Sequence, residues 1–389
     1  MSKLWLKLTP FAPDSSGALS ILYGLKALAV SYDPQGCLNN YRHNDEPRWR
    51  IQKQPFYSAV LAEREIVLGK EALLIKQCCE LLEKEKPALF ALLGGPIAML
   101  IGSDLEALCQ EIQQQTGVPS IGIGTTGQKF YDVGASMAML ALGKMLIEPA
   151  SSVREKTVNI VGATIFEFPN ADSLKDLTDY VERQGLKVLS VWGISSPIEV
   201  LRKAASAQLN LVVSVSGFAL AKWMQGVLGI PYVIFAPIGE SAQKDFFIRT
   251  EIENSNNADC LGIADRPRVL IVGEQIMANG LRHCLEREFQ INNVQVAGFF
   301  MMEKDILRTG DKQLYCEADL EDLLEENKYD IVIGDPLLQR LVSEESLLEF
   351  WSLPQPAISG QFFLRERSSL IGERASEWIK GQMGKVKKQ

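Results

Sequence analysis

Short, continuously apolar runs alternate with amphipathic stretches along nearly the whole chain, and this alternation constrains the fold more than any other feature. A strand that is apolar on both faces has to be covered on both faces, so the pattern predicts an α/β fold of parallel sheets flanked by helices. The predicted strands are 27–32, 88–93, 118–123, 158–162, 186–191, 209–215, 232–235, 268–273, 293–299 and 330–334. The predicted helices are 70–84, one that begins at its N-cap Ser103, 132–145, 173–184, 197–206, 222–228, 276–288, 318–327 and 369–380.

Two polar linkers, at 148–155 and 251–259, interrupt this alternation. A chain of 389 residues is also too long for one typical hydrophobic core. We therefore expect three Rossmann-like units, followed by a C-terminal helical segment that packs back on them. The predicted boundaries are 1–150, 155–250, 265–345 and 346–389.

Composition excludes several classes of protein. The net charge of −8 gives no reason to expect nucleic acid or an anionic membrane as the main partner. The longest apolar run, 88–101, is too short to span a bilayer, and the N-terminus lacks a signal-peptide pattern, so we expect a cytoplasmic protein. Only two histidines are present, and no cysteine pair has CxxC spacing, which argues against a disulfide framework or a zinc site. The seven cysteines lie at 37, 78, 79, 109, 260, 284 and 316.

Residues 122–127 form a literal GxGxxG, a pattern that can bind dinucleotide phosphates when it opens a βαβ unit. Here it lies late in its unit, and no acidic residue ends a strand about 20 residues further on. We predict a structural glycine loop at the carboxyl edge of a sheet, and no NAD. The segment Gly69-Lys70-Glu71 lacks the other residues of a phosphate-binding P-loop, so ATP hydrolysis by this chain is not expected.

Cys37 is the strongest candidate for chemistry. It closes the turn Asp33-Pro34-Gln35-Gly36-Cys37 directly after a predicted strand, so backbone geometry would hold its thiol in place. One thiol cannot hold an iron–sulfur cluster, which normally takes four ligands. Either Cys37 is a small buried residue at a strand end, or other ligands come from elsewhere.

Several stretches, in this order, resemble nitrogenase component 1 and its relatives, among them the light-independent protochlorophyllide reductases and the cofactor-assembly scaffold. The segment 32–37 resembles the family's H-G-(P/S)-x-G-C, which supplies the first cluster cysteine. Residues 62–69 resemble E-x-D-x-V-F-G-G, and residues 96–105 resemble P-x-x-x-I-G-D-D-(I/L). The stretches 209–212, 229–232 and 268–270 follow the pattern of the second and third units.

The departures from the family pattern are equally informative. No cysteine lies between residues 38 and 77, where the second cluster cysteine is expected, and Gly95 takes the place of the third. Ser214 lies within a residue of the cofactor-ligating cysteine, and no histidine follows His283. The resemblance therefore implies no molybdenum–iron cofactor.

The resemblance implies an oxidoreductase subunit that dimerises with a homologous component 1 subunit. Together they would complete an interface [4Fe–4S] cluster through Cys37 and accept electrons from a separate ATP-hydrolysing iron protein. A heterodimer with a cysteine-complete partner and a homodimer both stay open. The alternative is a non-catalytic scaffold or assembly subunit that lacks its own cluster.

Residues near the thiol are secondary candidates. Gly36 shapes the turn, and Asn39 and Tyr41 could donate hydrogen bonds to cluster sulfurs, with a solvated loop as the alternative. Lys129 and Tyr131, just past the glycine loop, are further candidates for a substrate cavity between the units, with an ordinary surface role as the alternative. Trp192 and Ser195 end a strand at the carboxyl edge of a sheet, where ligands in such folds usually bind.

Overall fold

Three parallel β-sheets, each covered by helices, form the computed structural model of the chain. The structure describes residues 5–33, 41, 45, 46, 48, 55–59, 71–150, 152–169, 171–194, 196–242, 267–363, 365 and 369–386. Within these ranges no helix combines the length and apolarity needed to cross a membrane. The predicted α/β class with three sheet units is confirmed.

Strands and helices alternate in chain order. The strands are β1 Ala27–Ser31, β2 Phe56–Ser58, β3 Leu89–Leu93, β4 Ser120–Ile123, β5 Arg154–Ala163, β6 Lys187–Gly193, β7 Ala207–Val212, β8 Tyr232–Ile234, β9 Val269–Val272, β10 Val294–Gly298, β11 Lys312–Gln313, β12 Ile331–Gly334 and β13 Glu349–Ser352. The helices are α1 Asp14–Leu22, α2 Glu71–Glu85, α3 Pro96–Leu100, α4 Leu105–Thr116, α5 Tyr131–Leu146, α6 Ala171–Arg183, α7 Ile198–Leu201, α8 Phe218–Leu228, α9 Gln275–Glu288, α10 Glu317–Glu326, α11 Pro356–Ser359 and α12 Glu373–Val386.

Every pair of neighbouring strands is parallel. The sheet orders are β2-β1-β3-β4, β6-β5-β7-β8 and β11-β10-β9-β12-β13. In each sheet the strand that comes first in the chain (β1, β5 or β9) lies in the interior of the sheet. The strands that follow it are added first on one side of it and then on the other, so the direction of strand order reverses at β1, β5 and β9. Ligands of open α/β sheets bind outside the carboxyl ends of the strands at such reversals.

The structure differs from the sequence expectations at one helix cap and at several elements. The N-cap of α4 is Asp104 and not Ser103, because the Asp104 carboxylate accepts the Ala107 N–H at 3.0 Å. The elements that the apolar pattern did not predict are helices α1, α3 and α11 and strands β2, β11 and β13. The unit boundaries near 150, 250 and 345 stay predictions.

Helices α1 and α5 cross in very close contact because glycines lie at the crossing. A Cβ at Gly17 would meet the Tyr131 carbonyl oxygen at 1.8 Å, and a Cβ at Gly134 would meet the Asp14 carbonyl oxygen at the same distance. Only a residue without a side chain allows backbones to approach this closely.

We therefore expect Gly134→Ala to lower the free energy of unfolding by about 3 kcal/mol, the upper end of the usual overpacking range. The matched control is Gly226→Ala in α8, where a Cβ would meet nothing within 4 Å. The control should gain about 0.5–1 kcal/mol, because alanine favours helices over glycine. Denaturant unfolding measures both, and equal stabilities of the two variants would contradict the close crossing.

Candidate functional site

The segments that follow β1, β5 and β9 carry the polar residues of the candidate site. After β1 comes Asp33, after β5 come Thr164 and Glu167, and after β9 comes Glu274. These are the three positions at which the sheet order reverses. The topology therefore places three carboxyl groups, those of Asp33, Glu167 and Glu274, after equivalent strands of the three sheets.

Of the residues predicted to hold a cluster, Gly36, Cys37 and Asn39 lie outside the described residues, and so does Ser195. Tyr41 is described and buried. Its ring packs edge-on against Phe56, with centroids 5.9 Å apart, and its hydroxyl donates to Glu46 Oε2 at 3.4 Å. Burial, with a smaller contribution from the Glu46 charge, holds the pKa of Tyr41 well above its ordinary value. Tyr41 is therefore a neutral hydrogen-bond donor packed beside the first sheet.

Asp33 occupies the space beside Gly95, the residue in the place of the family's third cysteine. A Cβ at Gly95 would lie 2.2 Å from Asp33 Cγ and 2.4 Å from Asp33 Oδ2. The Gly95 backbone is extended, with φ of −142°, so any residue could adopt it. The buried carboxyl group of Asp33, and not the backbone, is what excludes a side chain at position 95.

Ser214, in the place of the family's cofactor-ligating cysteine, is fully buried. Its hydroxyl donates to the Gly162 carbonyl oxygen at 2.6 Å. Gly162 has φ of +91°, a conformation that favours glycine, and a Cβ there would meet Ser214 Oγ at 2.7 Å. The serine side chain therefore bonds to the backbone near the carboxyl end of β5.

Two buried carboxyl groups meet beside Ser214. Glu167 accepts hydrogen bonds from the hydroxyls of Tyr131 and Thr164. Glu274 caps α9, accepting the Met277 N–H at 2.8 Å, and it also accepts the Val215 N–H at 2.8 Å. Burial, and then the charge of Glu167, raise the pKa of Glu274 to about 8. This carboxyl group is thus largely protonated at neutral pH and can donate a proton.

Aromatic side chains fill much of the space around this acid pair. The Tyr131 ring lies 4.3 Å from the Phe166 ring and 4.9 Å from the Phe300 ring, centroid to centroid. The cavity that Glu167, Glu274 and Gln355 line has a volume of about 40 Å³. This is room for about three or four water molecules and not for a metal cluster.

Of the other predicted cleft residues that the structure describes, none lines this cavity, and Tyr131 contacts its wall through Glu167. Lys129 is exposed, whereas Tyr131 is buried and bonded to Glu167. Trp192 is buried at the carboxyl end of β6. The glycine loop 122–127 begins within the last two residues of β4, at the carboxyl edge of the sheet as predicted. Two of its amides are occupied: Asp14 Oδ2 accepts the Thr126 N–H at 2.8 Å and Asp14 Oδ1 accepts the Gly127 N–H at 2.7 Å. The amides that could hold a phosphate therefore hold a carboxylate of the same chain.

Three of the described cysteines are buried in the core. Burial raises the pKa of Cys78, Cys109 and Cys284 to about 12 each, so these thiols stay protonated. Within the described ranges, no group of three or more His, Cys, Asp or Glu side chains could hold a metal ion.

Comparison with known proteins identifies the family. The family model described as nitrogenase component 1 type oxidoreductase matches residues 15–251, which is more than half of the chain. The chain therefore belongs to the nitrogenase component 1-type oxidoreductase family. The solved structure described as "Nitrogenase Cp1 at pH 6.5" superposes with a TM-score of 0.75 at 14% identity, covering 100% of this chain and 95% of that one. This likeness confirms a component 1-like fold.

The relatives with similar sequences include proteins named for cofactor biosynthesis and proteins named as protochlorophyllide reductases. The nitrogenase iron-molybdenum cofactor biosynthesis protein NifE of Clostridium pasteurianum is 24% identical over 61% of this chain and 48% of its own length. The NifE of Methanosarcina barkeri is 31% identical over 46% of this chain and 40% of its own. A light-independent protochlorophyllide reductase component of Cereibacter sphaeroides is 23% identical over 60% of this chain and 45% of its own. This chain spans less than half the length of each of these relatives.

Sequence reasoning missed Asp33, Glu167 and Glu274 as site residues. Glu274 follows a glycine at the end of a predicted strand, and Glu167 follows the strand 158–162 by five residues, which is a weak signal. Neither pattern indicates that the two side chains meet, because the contact joins different sheets.

The contact between Asp33 and Gly95 predicts a strong coupling of substitutions. Gly95→Cys alone should lower the free energy of unfolding by about 1–3 kcal/mol, because the new side chain meets the carboxyl group. The double variant Asp33→Ala/Gly95→Cys should lose at least about 1 kcal/mol less of its free energy of unfolding than the sum of the losses in the two single variants. Denaturant unfolding of all four proteins checks this, and additive changes would show that Asp33 does not exclude the side chain.

The raised pKa of Glu274 predicts a pH-dependent stability. The folded state holds this proton more tightly than the unfolded state does, so the free energy of unfolding falls as pH rises toward about 8 and then levels off. Between about pH 6.5 and 8.5, the free energy of unfolding of Glu274→Gln should therefore fall by at least about 1.4 kcal/mol less than that of the native chain, which is the equivalent of one pKa unit.

Asp132→Asn is the control for this prediction. Burial raises the pKa of Asp132 to about 6, so its titration is largely complete below that range and the control should keep the loss above pH 6.5. Urea unfolding at a series of pH values measures the slopes. A Glu274→Gln slope equal to that of the native chain would contradict the assignment.

Proposed function

We propose that this chain is one subunit of a nitrogenase-like reductase and that it contributes a single ligand, Cys37, to a [4Fe–4S] cluster at the interface with a homologous component 1 subunit. The observation that carries the proposal is the space beside Gly95. The family's third cysteine would stand there, and the Asp33 carboxyl group fills its place. The first unit is thus built for fewer thiolates than a complete cluster requires, and a partner has to supply the others.

The electrons would come from a separate iron protein that hydrolyses ATP. The sequence has no P-loop, and Asp14 occupies the amides of the one glycine loop that resembles a nucleotide site. ATP hydrolysis would therefore take place in the partner, and this chain would accept electrons from it through the shared cluster.

The cleft between the three units would hold the substrate in the complex. Reduction of a substrate consumes protons as well as electrons. Glu274, whose raised pKa favours its protonated form and which borders the small cavity beside Glu167, is the described group best suited to hold such a proton. The cavity of about 40 Å³ supports a role without a molybdenum–iron cofactor in this chain.

A second candidate function is that of a scaffold subunit in cofactor assembly, without a cluster of its own. Two of the curated relatives are NifE proteins, which are named for the biosynthesis of a cofactor. In this function the chain would shape a partner subunit, and Ser214 and Asp33 would simply be packing residues.

The test is anaerobic co-purification of the chain with its homologous partner subunit, comparing the native chain, Cys37→Ala and Cys79→Ala. Cys79 is a half-buried cysteine on α2, so Cys79→Ala controls for the general loss of a thiol. Iron content and the electron paramagnetic resonance spectrum of the reduced complex are the measurements. We expect a cluster signal in the native complex and in Cys79→Ala, and its loss or alteration in Cys37→Ala.

The outcomes separate the two functions. An unchanged signal in Cys37→Ala would show that the cluster belongs to the partner alone. A tight complex that contains no iron in any variant would contradict the reductase and favour the scaffold.

A further inference from the structure

A second cavity lies between the carboxyl edge of the second sheet and the third unit, away from the acid pair. The segment after β8 forms one wall, one face of α9 forms another, and the loop around Ile306 and Arg308 closes it. Its volume is about 80 Å³. This is room for about five to eight water molecules, which suits a ligand of the size of phosphate.

Gly280 explains how the two walls come together. A Cβ at this position would lie 3.0 Å from the Ala236 carbonyl oxygen and 3.0 Å from Ile238 Cδ1. The residues of α9 that line the cavity at helical spacing include Ile276, Asn279, Gly280 and His283, so a single helix face borders it. The cavity is therefore a built feature of the contact between the second and third units.

The lining of this cavity is basic. Among the described residues that line it, Arg282, His283 and Arg308 are basic and none is acidic. The carboxylates that pair with the two arginines, Asp311 and Glu286, are not part of the lining. The ionisable groups that a ligand in the cavity would contact are thus basic, and they favour a small oxyanion.

Arg282 supplies the second observation that points to a ligand. Only 1% of this residue is exposed, and its two terminal nitrogens bind both oxygens of Asp311, at 2.6 Å and 3.1 Å. Its Nε–H, however, has no hydrogen-bond partner among the described residues. A buried charged donor without a partner is costly, and the salt bridge to Asp311 leaves that donor unexplained.

Arg308 is suited to complete the site. Its Nη1 donates to Glu286 Oε1 at 2.6 Å, and its side chain is 46% exposed, so the rest of the guanidinium stays accessible at the cavity. The Asp311 carboxylate accepts the backbone N–H of Arg308 at 2.9 Å, in addition to the two hydrogen bonds from the Arg282 side chain. One carboxylate therefore holds both the Arg282 guanidinium and the backbone of Arg308 in place.

We propose that this cavity binds a small tetrahedral oxyanion such as phosphate, held by Arg282 Nε, Arg308 and His283. The proposal is independent of the cluster and of the partner subunit, because every group that carries it belongs to the second and third units of this chain. Binding would link these two units through the anion.

The test is isothermal titration calorimetry of the full chain with inorganic phosphate, at an ionic strength kept constant with sodium chloride. We expect saturable binding to the native chain, and a Kd about tenfold higher for Arg308→Gln, the effect of losing one charge-assisted hydrogen bond. Arg282→Lys keeps the buried charge that faces Asp311 but lacks the Nε donor, and it should weaken binding by a similar factor.

The matched control is Arg202→Gln. Arg202 lies in an Arg–Glu pair of the same kind, with Nη1 2.9 Å from Glu148 Oε1 and a side chain that is 42% exposed, but it does not line the cavity. The control should bind phosphate as the native chain does. Absence of saturable binding to the native chain, an unchanged Kd in Arg308→Gln, or equal weakening in Arg202→Gln would overturn the proposal. A circular-dichroism melting curve for each variant shows whether it is folded.

Discussion

The crossing of α1 and α5 is the contact on which the arrangement of the three units depends. Gly17 and Gly134 bring the two helix backbones together, and the buried Asp14 at the start of α1 binds the amides of the glycine loop before α5. The position of α5 in turn sets Tyr131, whose hydroxyl binds Glu167 of the second unit. Asp132, the next residue, accepts the Met301 N–H of the third unit. A shift of this helix pair would therefore displace groups in both other units.

The strands and helices could be predicted from the sequence because they depend on local patterns. Continuous apolar runs such as 88–93 and 268–273 need no knowledge of their neighbours to be recognised as buried strands. Helix α1 lacked such a signal, because eight of its nine residues are buried and it shows no polar face. Strand β13 was missed because it is short and carries no continuous apolar run: of its four residues, Glu349–Ser352, two are half-buried and one is exposed.

The candidate site was predictable only in part. The turn that we predict before Cys37 rests on one continuous segment and stays a prediction, because residues 34–40 lie outside the described ranges. The pairing of Glu167 with Glu274 depends instead on contacts between two sheets. The glycine loop shows the same limit in another form. Its amides do bind an anionic group, as such loops are built to do, but the anion is the carboxylate of Asp14, 108 residues before Gly122 in the chain. A sequence motif indicates that the backbone amides of a loop can bind an anion, but it does not indicate which anionic group binds there.

The positions at which this chain departs from its family are packed and not left empty. Asp33 fills the space beside Gly95, and Ser214 bonds to the Gly162 carbonyl. Protein interiors tolerate few voids and few unpaired polar groups, so the loss of a ligand has to be accompanied by substitutions around it. A single reintroduced cysteine would meet this new packing and not a vacant ligand position. The replaced positions are thus consistent parts of a different interior.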